Sequence, residues 1–163
     1  MSTPTGSHRY LVDSNVLLRF IEAGHTQHQD ARNALLGLDQ TGALLHLVPQ
    51  VLIEFWGVAT RPSSARGGLN LSPARAEIEV ARFQAGLILL LDAPGIFPEW
   101  ERLASSYGVS GKEVHDTRLV AAMKVHGLTH LLTFNGKDFR RFEQSEGITA
   151  VDPATVTAPG AST

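Results

Sequence analysis

An α/β fold with a mostly parallel central sheet of about four or five strands, flanked by helices, is predicted by three features of this 163-residue chain. Short apolar runs of strand length alternate with stretches of helical spacing, the pattern of crossover units that build parallel sheets. Hydrophobic residues make up 43% and charged residues 18%, an ordinary globular balance with enough apolar surface to fill one core. Four acidic or amide side chains (Asp13, Glu54, Asp116 and Asn135) each end an apolar run or sit on a helix that follows one. Parallel sheets gather strand ends into one crevice, so residues distant in sequence can meet there.

Each element has its own signal. Residues 9–13 form a short apolar strand ending on Asp13. Ser14 or Asn15 then caps a helix to about Ala23, with Val16, Leu17, Phe20 and Ile21 as its stripe. Ala31, Ala34, Leu35 and Leu38 predict a helix over 26–38, and Leu44 to Val48 a second strand. Pro49 suits the first turn of a helix that carries Glu54 and stops near Arg61-Pro62. Residues 62–71, rich in Ser, Gly and Asn, read as a mobile loop. Ser72-Pro73 opens the next helix, Leu87 to Asp92 is a third strand, and Pro98 to Tyr107 is helical. A helix over 114–126 stops at Gly127, with strands at His130–Phe134 and Ile148–Val151. A single domain over 8–153 is expected, with flexible termini at 1–7 and 154–163.

Composition narrows the chemistry. The chain has no cysteine, which excludes disulfides, thiolate zinc sites and cysteine nucleophiles. Its N-terminus lacks a signal-peptide pattern and its longest apolar run is too short to span a bilayer, so a cytoplasmic protein with no membrane partner is expected. A net charge of −2 argues against broad, charge-driven nucleic-acid binding. Arginine nevertheless outnumbers lysine, and its planar fork suits phosphate. Carboxylates gathered at about 4 Å repel by roughly 4 kcal/mol per pair at an effective dielectric of about 20. A divalent cation offsets that repulsion, so the pattern points to a Mg²⁺ or Mn²⁺ site.

Four segments carry a family resemblance. They are Leu11-Val12-Asp13-Ser14-Asn15, Glu54-Phe55 leading to Ala59-Thr60-Arg61-Pro62, His115-Asp116-Thr117-Arg118-Leu119-Val120-Ala121-Ala122, and Leu132-Thr133-Phe134-Asn135-Gly136-Lys137-Asp138-Phe139. In this order and spacing the chain resembles PIN-domain ribonucleases of the VapC toxin type. The resemblance implies catalytic roles for Asp13, Glu54, Asp116 and Asn135, with Asp13 and Asp116 as metal ligands. Asn135 stands where the family often has Asp, and Asp138 follows three residues later; an amide oxygen ligates Mg²⁺ but brings no charge. Ser14, Arg118, Thr133 and Asp138 are candidates for support, and Arg61 and Arg66 for RNA contact. The implied activity is metal-dependent cleavage of single-stranded or loop RNA, tRNA or rRNA among the targets, by a homodimer with a cognate antitoxin.

Blander readings attach to the same residues. Asp13 also suits a helix cap, Asp116 a first-turn acid facing the helix dipole, and Asn135 and Asp138 a turn. His115 reads as packing or capping rather than a base; Phe55 and Trp56 read as core or dimer interface. The alternative functions are an RNA-processing nuclease, a non-catalytic RNA-binding PIN module, or a phospho-acceptor receiver domain, for which Asp92 and Lys137 are loose candidates.

Overall fold

A computed structural model describes residues 8–158 and 160. Its sheet is wholly parallel, with β1 (Arg9–Val12), β2 (Leu44–Leu47), β3 (Ile88–Leu89), β4 (His130–Leu132) and β5 (Thr149–Val151) in the order β3-β2-β1-β4-β5. Tyr10, Leu11 and Val12 are consecutive and all buried, as a strand covered on both faces requires. Helices α1 (Ser14–Ile21), α2 (His28–Gln40), α3 (Pro49–Ala59) and α4 (Pro73–Gly86) form one packed group. Helices α5 (Ile96–Tyr107) and α6 (Glu113–His126) pack on each other and return the chain to β4. The strand order reverses at the β1/β4 pair, which makes their carboxyl ends the natural crevice.

Most elements fall where hydrophobic periodicity and capping residues predict them, and the differences have physical causes. Asp13 itself, not Ser14 or Asn15, caps α1, accepting from the Ser14 backbone N–H. The third strand shrinks from 87–92 to two residues because it lies at the sheet edge, with Leu91 turned to solvent. Helix α5 begins at Ile96, two residues early; Pro98 falls in its first turn, where a missing N–H costs nothing. Beyond Asn135 a 3-10 turn (Gly136–Phe139) leads into α7 (Arg140–Glu146), held down by buried Phe139 and Phe142.

The segment 62–71 is closed rather than loose. Backbone N–H groups of Asn70 and Leu71 donate to the carbonyls of Arg61 and Ala59, at 2.8 and 2.9 Å. Gly68 is required there, since a Cβ would collide with the Arg61 and Pro62 carbonyl oxygens. The start of the expected flexible C-terminus is likewise placed. Pro153–Thr155 forms a 3-10 turn with Pro153 buried, packed on α2, where Gly37 leaves room for the Thr157 carbonyl. The expectations for 1–7, 159 and 161–163 fall outside the described residues. No helix among the described residues is long and apolar enough to cross a membrane.

Candidate active site

Asp13 and Thr133 meet at the strand-order reversal because the register aligns Val12 with Leu132, one residue before each. The Asp13 backbone N–H extends that ladder, donating to the Leu132 carbonyl at 3.0 Å. Buried Asp13 is bonded on both carboxylate oxygens. Oδ1 accepts from the Ser14 N–H at 2.7 Å; Oδ2 accepts from Thr133 Oγ1 at 2.8 Å and Asn15 Nδ2 at 3.2 Å. Asn15 also donates to Thr133 Oγ1 and accepts from the Phe134 N–H at 3.2 Å, which ties the first turn of α1 to the exit of β4. Thr133 therefore steadies Asp13.

Glu54 arrives from α3. Ser14 Oγ lies 3.2 Å from Glu54 Oε2 and 3.4 Å from Asp13 Oδ1; with one proton it donates to one carboxylate at a time. Glu54 Oε1 accepts from Gln50 Nε2 at 2.8 Å, one helical turn earlier. Gln50 is fully used, because it also donates to the His115 carbonyl and accepts from Arg118 Nη1 at 3.1 Å. Arg118 Nη2 in turn pairs with Asp92 Oδ2 at 3.1 Å. A chain of polar contacts thus runs Asp13–Ser14–Glu54–Gln50–Arg118–Asp92 across the carboxyl end of the sheet.

Asp116, in the first turn of α6, completes the cluster. Its pKa is pushed up to about 6 by burial first, then by the negative charges of Asp138 and Glu54, against opposing effects of Lys112 and His115. Asp13 is also pushed up to about 6, by burial first and by the charges of Glu54 and Asp116, while the bonds from Thr133 and Ser14 pull it down. Among the described residues none of Asp13, Glu54, Asp116 and Asp138 is in an ion pair. The cluster is acidic and, with Lys112 and His115 only partly opposing its charge, lacks an ion-pair partner among the described residues. Asn135 is exposed, and its backbone N–H donates to Thr133 Oγ1, the hydroxyl that also holds Asp13. The 3-10 turn after it carries half-buried Asp138, whose negative charge acts on Asp116.

The PIN-domain family model matches residues 10–144, more than half of the chain. The chain belongs to the PIN-domain family. Ribonuclease VapC48 from Mycobacterium tuberculosis is 27% identical over 141 residues, covering 86% of this chain and 94% of that protein. Among solved structures, VapBC-1 from nontypeable Haemophilus influenzae matches with a TM-score of 0.62 at 12% identity, over 89% of this chain and 98% of that one. The sarcin-ricin loop cleaving toxin VapC20 of M. tuberculosis matches with a TM-score of 0.55 at 17% identity, over 79% and 92%. The resemblance to VapC-type PIN domains read from the four segments is borne out. The receiver alternative fails on topology: such domains order their strands 2-1-3-4-5, and this PIN sheet is 3-2-1-4-5.

The remaining candidates divide. Arg61 and Arg66 are both exposed on the closed 62–71 segment, where Arg61 Nη1 donates to the Arg66 carbonyl. His115 contributes its carbonyl to Gln50, and its ring is exposed. Phe55 is core, while Trp56 is 36% exposed on α3. Asn15 and Gln50 emerge here as positioning residues. For Gln50 the signal was its i,i+4 spacing to Glu54; Asn15 bonds Asp13 two residues back, but its other partners lie 118 and 119 residues away, and no local pattern shows those.

Proposed function

We propose that this PIN-domain chain is a divalent-metal-dependent endoribonuclease that cuts single-stranded or loop RNA as the toxin of a toxin–antitoxin pair. The observation that supports it most is the carboxylate cluster at the β1/β4 switch point, without an ion-pair partner among the described residues. Such a donor set fits a hard cation. Among the described residues no three His, Asp or Glu side chains converge closely enough to hold an ion unaided. Mg²⁺, however, is commonly held by one or two carboxylates and completed by water. Asp13 and Asp116 are the residues that would hold it, with Mn²⁺ as a substitute.

When bound, the ion supplies an activated water and offsets charge on the phosphoryl oxygens. The chain's own residues do the positioning. Thr133, Asn15 and the Ser14 N–H lock the Asp13 carboxylate; Ser14 and Gln50 lock Glu54 beside it. Arg118, at the rim, is the cation placed to receive a phosphate of the strand. Loop RNA is favoured because unstacked bases are accessible in a way duplex bases are not, and VapC20 is described as cleaving a loop of that kind. The VapBC complexes among the structural neighbours support a cognate antitoxin as partner. Exposed Ile53 and Trp56 on α3, which line one apolar groove with Val80 of α4, offer a face suited to a homodimer.

Expression in a bacterial host tests this reading. Induced wild type should arrest growth, and Asp13→Ala should not; equal growth of the two strains would leave an RNA-processing or non-catalytic module. The fourth acidic position has its own test. Because Asp138, not Asn135, charges the cluster, Asp138→Ala should weaken Mn²⁺ binding roughly 10–100-fold, within the range for residues supporting a metal site. Asn135→Ala should change it little. Calorimetric Mn²⁺ titration compares them, and the opposite ranking would return the role to the amide.

A further inference from the structure

Next to the acidic cluster lies an open groove of about 480 Å³ lined by Asp92, Ile96, Phe97, Trp100, His115 and Arg118. Its floor is an aromatic stack. Phe97 and Trp100 have ring centroids 5.7 Å apart and planes inclined by 27°. Trp100 is fixed, since its Nε1–H donates to the Val114 carbonyl at 2.9 Å. Phe97 is 63% exposed, so one face of its ring stacks on Trp100 while much of the ring is open to the groove and to solvent. At the polar edge, Arg118 joins the groove to the cluster through Gln50 and Glu54, and its partner Asp92 is half exposed. His115 lines the groove, and Asp116 is the next residue on the same helix.

We propose that this groove takes one unpaired purine of the substrate RNA, stacked on Phe97 and adjacent to the phosphate at the carboxylates. The inference rests on the ribonuclease reading and names the part of the substrate that reading leaves open. Aromatic platforms beside backbone-binding grooves hold single strands by stacking, and every base has a face to offer. A purine presents the larger face, and its N–H groups find an acceptor in the free oxygen of the Asp92 carboxylate. The Arg118 guanidinium lies at the phosphate side. A protein segment could also fill the apolar floor and is an outcome of the test below; the groove's place beside the carboxylates, where the ribonuclease reading puts the strand, favours RNA.

The test separates stacking from cleavage. Short single-stranded RNAs carrying 2-aminopurine are titrated with the protein in Ca²⁺, a hard cation that offsets the carboxylates, under conditions where gels show the RNA stays intact. Wild type should quench the fluorophore on binding. Phe97→Ala should remove the quenching and weaken binding about tenfold. Phe97→Tyr should retain both, and unlabelled competitors should rank purine above pyrimidine. Binding without quenching, with Phe97→Ala equal to wild type, overturns the subsite and leaves the ribonuclease reading standing. Wild type that cleaves RNA with Mg²⁺ but does not bind these RNAs in Ca²⁺ overturns the subsite alone, and wild type that does neither overturns both. A Phe97→Ala change that alters only antitoxin affinity or dimerisation makes the patch a protein contact and also overturns it.

Discussion

Asp116→Asn should lower RNA cleavage by more than about a hundredfold while leaving the fold intact. Partners of metal ligands typically cost 10–100-fold when removed, and a residue that itself holds the ion costs more. The substitution is nearly isosteric, and Asp116 makes no ion pair whose loss would unbalance the fold. The carboxylate is lost and little else changes. Gel-resolved cleavage of a defined RNA by wild type and variant, with circular dichroism to confirm folding, reads the effect. Full activity of the variant would remove Asp116 from the chemistry.

The same variant should be more stable than wild type at neutral pH when both are metal-free. Folding raises the Asp116 pKa from 3.8 to about 6, so the folded protein holds the proton more tightly than the unfolded chain. At pH 7 both states are ionised, and the folded state bears the burial and repulsion. A shift of about two units corresponds to roughly 3 kcal/mol. Partial exposure of Asp116, and repulsion shared with Glu54 and Asp138, reduce the expected gain to about 1–2 kcal/mol. The sign in pH follows. The advantage is full above pH 6, shrinks as wild-type Asp116 takes up its proton between about 6 and 4, and is gone below that. Denaturant melts at pH 7.5 and 4 measure it, and an advantage that grows on acidification would contradict the electrostatic account. Saturating Mn²⁺ should reverse the ranking at neutral pH, because the ion stabilises the state that binds it.

These two effects oppose each other, and that opposition is what a functional cluster shows. Isolated from cations, Asp13 and Asp116 cost stability, and residues that only built the fold would not be gathered so. The surrounding bonds suit the charged form of Asp13: Thr133, Asn15 and the Ser14 N–H donate to it without neutralising it. Under the proposed function, a bound cation would complete this buried corner by offsetting the charge of Asp13.

Much of this was legible in the sequence, for reasons that lie in particular residues. Asp13 and Glu54 follow apolar runs and Asp116 precedes one on its helix, and apolar periodicity is strong where a segment is buried on both sides, as Tyr10 to Val12 and Leu119 to Met123 are. The parallel architecture then brings strand ends together without further information. What local pattern did not show depends on distant partners or on short turns. The placement of Asp138 is set by a four-residue 3-10 turn, too brief for any periodicity to mark. The clamps through Asn15 and Gln50 join segments 118 and 65 residues apart. Helix α7 is only seven residues long, and its apolar anchors Phe139 and Phe142 give a single helical repeat.

The proposed function holds that the Asp13–Glu54–Asp116–Asp138 cluster makes this PIN domain a metal-dependent ribonuclease. Purified wild type incubated with loop-containing RNA in EDTA, then supplied with Mg²⁺ or Mn²⁺, tests it most directly. The account predicts no cleavage in EDTA and, once the ion is added, fragments with 5′-phosphate and 3′-hydroxyl ends. Cleavage undiminished in excess EDTA, or fragments ending in a 2′,3′-cyclic phosphate, would contradict it.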